Sequence, residues 1–538
     1  MIHSITILAD SYTESVDFSK DHIAKISVDC SAIMQSEVTF TIEFVFDEPI
    51  LSFRNHDYTW VDILSDRMAN SFSPKIIKLQ NGFFVQANSN QGIWEVNKKN
   101  PKVVLWKFNP TYSNALTEYT GTNNTKKLVA ANSEIRFSEH PALLFSKESA
   151  LEISRSKIPF SAVACFTDHC DYDTPENLKV QREFFKRIKL KVTKGFFLNH
   201  FSKRDDNASF ANNASEIEQW KTDGHELCYH SLSQSIKSDK ESWEDFETFQ
   251  PPYQNIPIWI DHGFQPYNFS LIKKNGIPES YYENQLTDKG ISVLWNYIDC
   301  GTTTTGIINQ LNPNQFTLAT FLAGIQKFSL KTKLVMLFKN VIFHYDNNEK
   351  RIRNYIDAVA NIRAIKNKRF FQVFELIKNI VPLVVVVLKT IVFWNSIKNK
   401  PYKVAKYSPI FFKHKMNNND FCIFQTVEMV DFKKSLYAQN IDVLIKESGL
   451  FIAHTYFSVA MKHYHGRLFK SDTMLDDEVV QNFMYLSQKI DENKIWNPTL
   501  SQLLSFLNVY ETTIFDIDEN GNIIMKNNNE IPSRKVTG

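Results

Sequence analysis

Three aspartates and a histidine fall within the nine residues of FTDHCDYDT, 166–174. Carboxylates and an imidazole at this density are the side chains that hold a divalent metal or pass protons. Aspartate and threonine also make turns and start helices, which is the plainer use of the same residues. Three further stretches set a histidine beside an apolar run: GHELCYHSLSQS at 224–235, WIDHGFQPYN at 259–268 and FIAHTYFS at 451–458. One histidine beside a strand is ordinarily a core or rim residue. Four such clusters together are more than packing requires, and their joint occurrence points to a site.

The surrounding pattern says what would position them. From about residue 155 strands alternate with helices: FSAVACFT reads as a strand, TPENLKVQREFFKRI as a helix, KVTKGFFLN as a strand and SEIEQWKTDG as a helix ending at a glycine. Thr174 ahead of Pro175 and Glu176 predicts a helix start, because threonine caps free amides and proline is tolerated in the first turn. Such alternation predicts a parallel sheet or β/α barrel, whose chemistry collects at the C-terminal ends of the strands. The histidine clusters lie at those ends. Residues 1–150 differ, with short alternating runs such as EVTFTIEFVF separated by Asn, Gly, Ser and Pro, and they predict a β-sandwich-like domain.

The chain of 538 residues is longer than one hydrophobic core usually organises, and 43% apolar with 22% charged residues is the composition of a folded protein. Six scattered cysteines without a Cys-x-x-Cys pair suit a reducing compartment rather than a disulfide framework. The opening residues MIHSITILADSYTES lack a secretion signal pattern, so a cytoplasmic protein is expected. Charge is uneven. Residues 349–415 carry fifteen Lys or Arg against three acidic residues, a net of +12 in a chain whose total is +2. Within them NIVPLVVVVLKTIVFW is too short for a membrane span and is interrupted by Pro382 and Lys389. A basic, hydrophobic insertion of this kind fits the inner face of an anionic membrane, or equally a buried helix or strand ringed by solvated lysines. No nucleic-acid partner is expected. The boundaries read as 1–150 for the sandwich, 151–345 and 419–515 for the two parts of the barrel, 346–418 for the insertion, and 516–538 for a hairpin with a polar tail.

The order CFTDHCD, GHELCYHSLSQ, LFIAHTY resembles the polysaccharide deacetylase family (carbohydrate esterase family four, NodB-like), over about residues 158–300 and 440–515. The resemblance implies a distorted β/α barrel and a metal-dependent hydrolase that removes an N-acyl group from an amino sugar in a glycan or lipid-linked precursor. It implies Asp168 as catalytic base, His454 as general acid, and His169, with Asp171 as a second candidate, in place of the family's metal-binding aspartate. His230 matches the first histidine of the metal pair. Gln234 stands where the family has the second, so a third ligand has to come from elsewhere, with Asp261 and His262 the nearest donors. Zinc is the expected ion. Trp259, Asp261 and Tyr267 are the candidates for substrate contact, with barrel-rim packing as the alternative for the two aromatics. Loss of the second histidine also admits a glycan-binding or assembly protein without activity. A glycosidase would need paired carboxylates such as Asp168 and Asp261.

Overall fold

The computed structural model of the protein describes residues 2–18, 24–119, 126–202, 204–234, 236–261, 265–272, 275–299, 306–326, 329–346, 348–368, 371–407, 410–429, 431–458, 467–527 and 530–538. The N-terminal part holds two six-stranded antiparallel sheets. Phe40, Ile42 and Phe44 from one sheet and Phe53, Ile77 and Val85 from the other fill one core between them. Strand Phe40–Phe46 shows the cause, since its residues alternate buried and half-buried along FTIEFVF.

A closed barrel of seven parallel strands follows. In chain order they are β1 (Ala162–Asp168), β2 (Thr193–Phe196), β3 (Glu226–His230), β4 (Ile258–Ile260), β5 (Val293–Asp299), β6 (Asn419–Glu428) and β7 (Leu450–Thr455). Each pairs with the next, β7 pairs with β1, and β1 pairs with β2, which closes the ring. Period-two geometry divides β1 cleanly. Ala162, Ala164 and Phe166 face the helices, where Phe184, Phe185 and Phe483 pack. Val163 and Cys165 face the barrel interior with Cys228, Ile258, Ile260 and Ile452. Both faces are apolar, as a barrel wrapped in helices requires.

Closure depends on one small residue. Gly195 on β2 sits so near β1 that a Cβ there would overlap the backbone carbonyl oxygen of Asp168. Helix α1 (Pro175–Arg187) begins at Thr174, whose hydroxyl accepts from the Asn177 amide at 3.3 Å while the Asn177 side chain accepts from the Thr174 amide at 3.0 Å. Helix α2 (Phe210–Thr222) covers β2 and β3.

The basic insertion is helical. It contains α4 (Glu349–Lys366) and α5 (Gln372–Val392), preceded by α3 (Leu330–Asn340). The long apolar run is neither buried outright nor broken. α5 runs through Pro382 and has one buried face, in which Leu383 and Val386 meet Leu318, Val341, Ile342 and Ile352. Among the described residues, no helix is long and apolar enough to cross a membrane.

Buried Arg155 joins sandwich to barrel, donating to the carbonyls of Phe72 at 3.0 Å, His56 at 2.6 Å and Ser448 at 3.0 Å. The C-terminal strand Ser533–Val536 pairs with Ala150–Ile153 at the same joint.

Gly195→Ala is expected to force β1 and β2 apart and lower unfolding stability by about 2 kcal/mol or more, with Gly290→Ala, where φ is +74° but a Cβ would meet nothing, as a comparison for backbone strain without crowding. Urea unfolding of the two variants measures it; equal losses would show that the close approach to Asp168 is not what constrains position 195.

Candidate metal centre at the barrel mouth

His169, Asp171 and His230 converge where β1 and β3 end. All three are buried, and one donor atom from each lies within 4.8 Å of the others. His230 Nε2 is 2.8 Å from Asp171 Oδ2. Cys228 and Ile260, on the inner face, share the orientation of His230, so β3 delivers its last residue inward. Ser231 follows at φ +51°, a left-handed conformation costly for a side-chain-bearing residue, and turns the chain directly after the imidazole. Asp171 comes from the loop rather than a strand and is correspondingly held. Its backbone carbonyl accepts from Asn207 Nδ2 at 2.9 Å and Gln234 Nε2 at 3.1 Å. Gln234 also donates to Asp171 Oδ1 at 2.9 Å.

Two imidazoles and a carboxylate are a donor set that suits zinc and similar ions. A buried His169, Asp171, His230 group can hold a metal ion, and its chemistry leaves the ion's identity open. His454, the inward-facing residue of β7, stacks on His169 with ring centroids 3.9 Å apart. Trp295 of β5 packs against both rings, at 4.7 and 5.0 Å, and Tyr456 against both at 5.0 Å.

Asp168 is adjacent to His169 in sequence but belongs to the other face of β1. Its carboxylate meets Lys194 Nζ of β2 and accepts from Thr455 Oγ1 and the Phe457 amide, each at 3.3 Å. Lys194 also donates to Asp173 at 2.5 Å and to Gln181 of α1 at 3.2 Å, and its ammonium lies 5.2 Å from the Trp220 ring of α2. This network occupies the layer between barrel and helices. Burial holds the Asp168 carboxyl above the usual carboxylate range, although the Lys194 ammonium pulls it down. Burial disfavours the Lys194 ammonium too, but the charges of Asp168 and Asp173 more than offset it, and Lys194 sits above its ordinary value. The expected base is therefore enclosed in an ion pair behind the strand. Asp173 spends its carboxylate on Lys194, Gln181 and Ser458, and the helix start is left to Thr174 and Asn177.

The remaining candidates separate. Trp259 and Tyr267, each about 1% exposed, pack with Tyr229, Phe246 and Phe249 in the helix layer, so their surroundings are core rather than a sugar-stacking rim. Asp261 accepts from Asn268 Nδ2 at 2.6 Å and the Phe269 amide at 3.0 Å, which shapes its own loop. His262 lies outside the described residues. Sequence reasoning passed over Lys194 and Trp295. A lysine inside the apolar strand KVTKGFF, next to a glycine, was the available signal for the first.

No family model matches the chain, and no curated protein matches it in sequence. Among solved structures it is similar to a glycoside hydrolase family 31 dextranase of Flavobacterium johnsoniae complexed with glucose, at 8% identity and a TM-score of 0.27 over 99% of this chain and 72% of that one. A variant of the same dextranase complexed with isomaltotriose gives 7% and 0.28, over 95% and 62%. Similarity this low carries no argument about chemistry.

Lys194→Met would leave Asp168 and Asp173 buried without their counter-charge and is expected to cost about 3–5 kcal/mol in urea unfolding; a loss below 1 kcal/mol, of the order of an exposed pair, would mean the ion pair holds little. His225 supplies a pH test. Burial pushes its imidazole down to about 4, and its Nδ1 accepts from the Val192 amide at 3.2 Å, which requires the neutral ring. The unfolded chain takes up this proton near pH 6.5 and the folded one only near 4, so stability is full above 6.5 and falls as the pH drops toward 4. The fall is on the order of 3 kcal/mol. His225→Gln should flatten that part of the profile of urea midpoint against pH.

Proposed function

We propose that the protein is a metal-dependent hydrolase acting on the N-acyl group of an amino sugar, with the ion held by His169, Asp171 and His230. The convergence of these three buried donors on the inner face of the barrel mouth is the observation that carries the reading. The substrate class rests on the motif order CFTDHCD, GHELCYHS, LFIAHTY and its likeness to the deacetylases. Under this proposal residues 151–345 and 419–515 form the catalytic unit, framed by the 1–150 sandwich and the 346–418 insertion.

When bound, a divalent ion supplies an acidified water and a Lewis acid for the amide carbonyl. The chain's own residues do the rest. Gln234 orients Asp171 through its carboxylate and backbone oxygens. His454, stacked on His169, would give a proton to the leaving amine, which departs poorly without one. The proton acceptor has to share the inner face. Glu428 does so: it is the register partner of His454 across β6 and β7, and parallel partners project to the same side. We assign the base to Glu428, and to Asp168 the task of fixing the loop that carries His169 and Asp171.

A second reading has one observation behind it. The family's base position, Asp168, is neutralised by Lys194 and faces away from the cluster, as it would in a glycan-binding barrel that no longer hydrolyses.

The purified protein is expected to contain a divalent metal by elemental analysis and to release acetate from N-acetylated chito-oligosaccharides. His230→Ala should lose both. Glu428→Gln should keep the metal and lower turnover by about a hundredfold or more. Bound metal and glycan without acetate release would favour the binding role, and a protein that neither retains a metal nor gains melting temperature with zinc ends the metal assignment.

A further inference from the structure

Helix α5 is apolar on two opposite faces, and only one of them is needed by the fold. Leu383, Val386 and Thr390 make the buried face. Phe374, Ile377, Val381, Val384, Leu388 and Ile391 recur at three- and four-residue intervals along the other side and are exposed, Phe374 at 81%. Val392 and Phe393 extend the stripe at its C-terminal end, at 75% and 59% exposed. Nearby α3 adds exposed Leu330, Leu334 and Val335. An apolar stripe running the roughly 30 Å length of a 21-residue helix is larger than the scattered surface leucines every protein tolerates.

What surrounds the stripe selects its partner. On a helical projection Lys378 and Lys389 border it on the same side, and both are exposed. Arg363, Lys366, Lys368 and Lys400 are exposed on the same insertion, whose residues 349–415 have a net charge of +12 while the rest of the chain sums to −10. A second copy of this surface would bring like charges together across the contact. An anionic surface with an apolar layer beneath it satisfies both halves, as lysines reach the phosphates and the aliphatic stripe enters the acyl boundary. We propose that α5 lies flat on an anionic phospholipid bilayer, with the exposed stripe inserted into the interface and the helix held in that orientation by its buried face. The proposal concerns adhesion to the surface and is independent of the metal assignment.

Co-flotation of the full chain with vesicles tests it. Binding is expected to vesicles of phosphatidylcholine mixed with phosphatidylglycerol, and to weaken as salt is raised. Lys378→Glu combined with Lys389→Glu should weaken it by about tenfold or more. Phe374→Ser, Ile377→Ser and Leu388→Ser together should abolish it while far-ultraviolet circular dichroism stays unchanged, because these side chains are exposed and lie outside the buried face of the helix. Equal binding to pure phosphatidylcholine, or binding that survives the triple variant, overturns the proposal. So does failure to float accompanied by concentration-dependent dimerisation in sedimentation, which would assign the stripe to a second copy.

Discussion

The buried ammonium of Lys194 is the point from which the barrel mouth is organised. It ties Asp168 at the end of β1 to Asp173 five residues later, and both to Gln181 on α1. The residues between the two aspartates form the loop that carries His169 and Asp171. One cation behind the wall of the barrel thereby fixes the ends of the segment whose middle faces the cluster in front of it. The arrangement works only because β2 comes close enough for Lys194 to reach, and that approach requires Gly195. A buried ion pair of this kind contributes little net stability against an apolar replacement. Its effect here is conformational: it permits one path for the loop.

Much of this was legible in the sequence, and the reason it stopped short is physical. Strand ends bearing histidines, the Thr174 cap, the antiparallel N-terminal sheets and the basic insertion all follow from period, capping and charge. The face on which each strand-end residue emerges did not. In AVACFTDH every position up to Phe166 is apolar, because β1 is covered by helices outside and by core inside, so the alternation that marks a half-exposed strand is absent. Asp168 and His169 thus look like one cluster in the sequence, while a period of two sends them to opposite sides of the sheet. The same absence of contrast conceals that Glu428 and His454 share a face, which becomes visible only once β6 and β7 are in register.

Aromatic residues show the converse. Trp259 and Tyr267 read as sugar-stacking candidates because they flank a histidine, yet Trp259 alternates with Ile258 and Ile260, which line the interior, and must face the helices. Trp295 carried no signal of its own, standing in an ordinary apolar strand, and it packs, with Tyr456, against both His169 and His454.

Two residues that look unrelated in the sequence hold the same loop. A ligand carried at a strand end inherits its orientation from the sheet, whereas a ligand on a loop has to be oriented by whatever surrounds it. Asp171 is such a loop residue. Gln234 is a poor metal ligand but a good donor, and it holds Asp171 by carboxylate and carbonyl together with Asn207. The Lys194 clamp serves the same requirement from the other side of β1, so the glutamine and the buried lysine, which look unrelated in the sequence, answer one demand: keeping Asp171 within reach of His230.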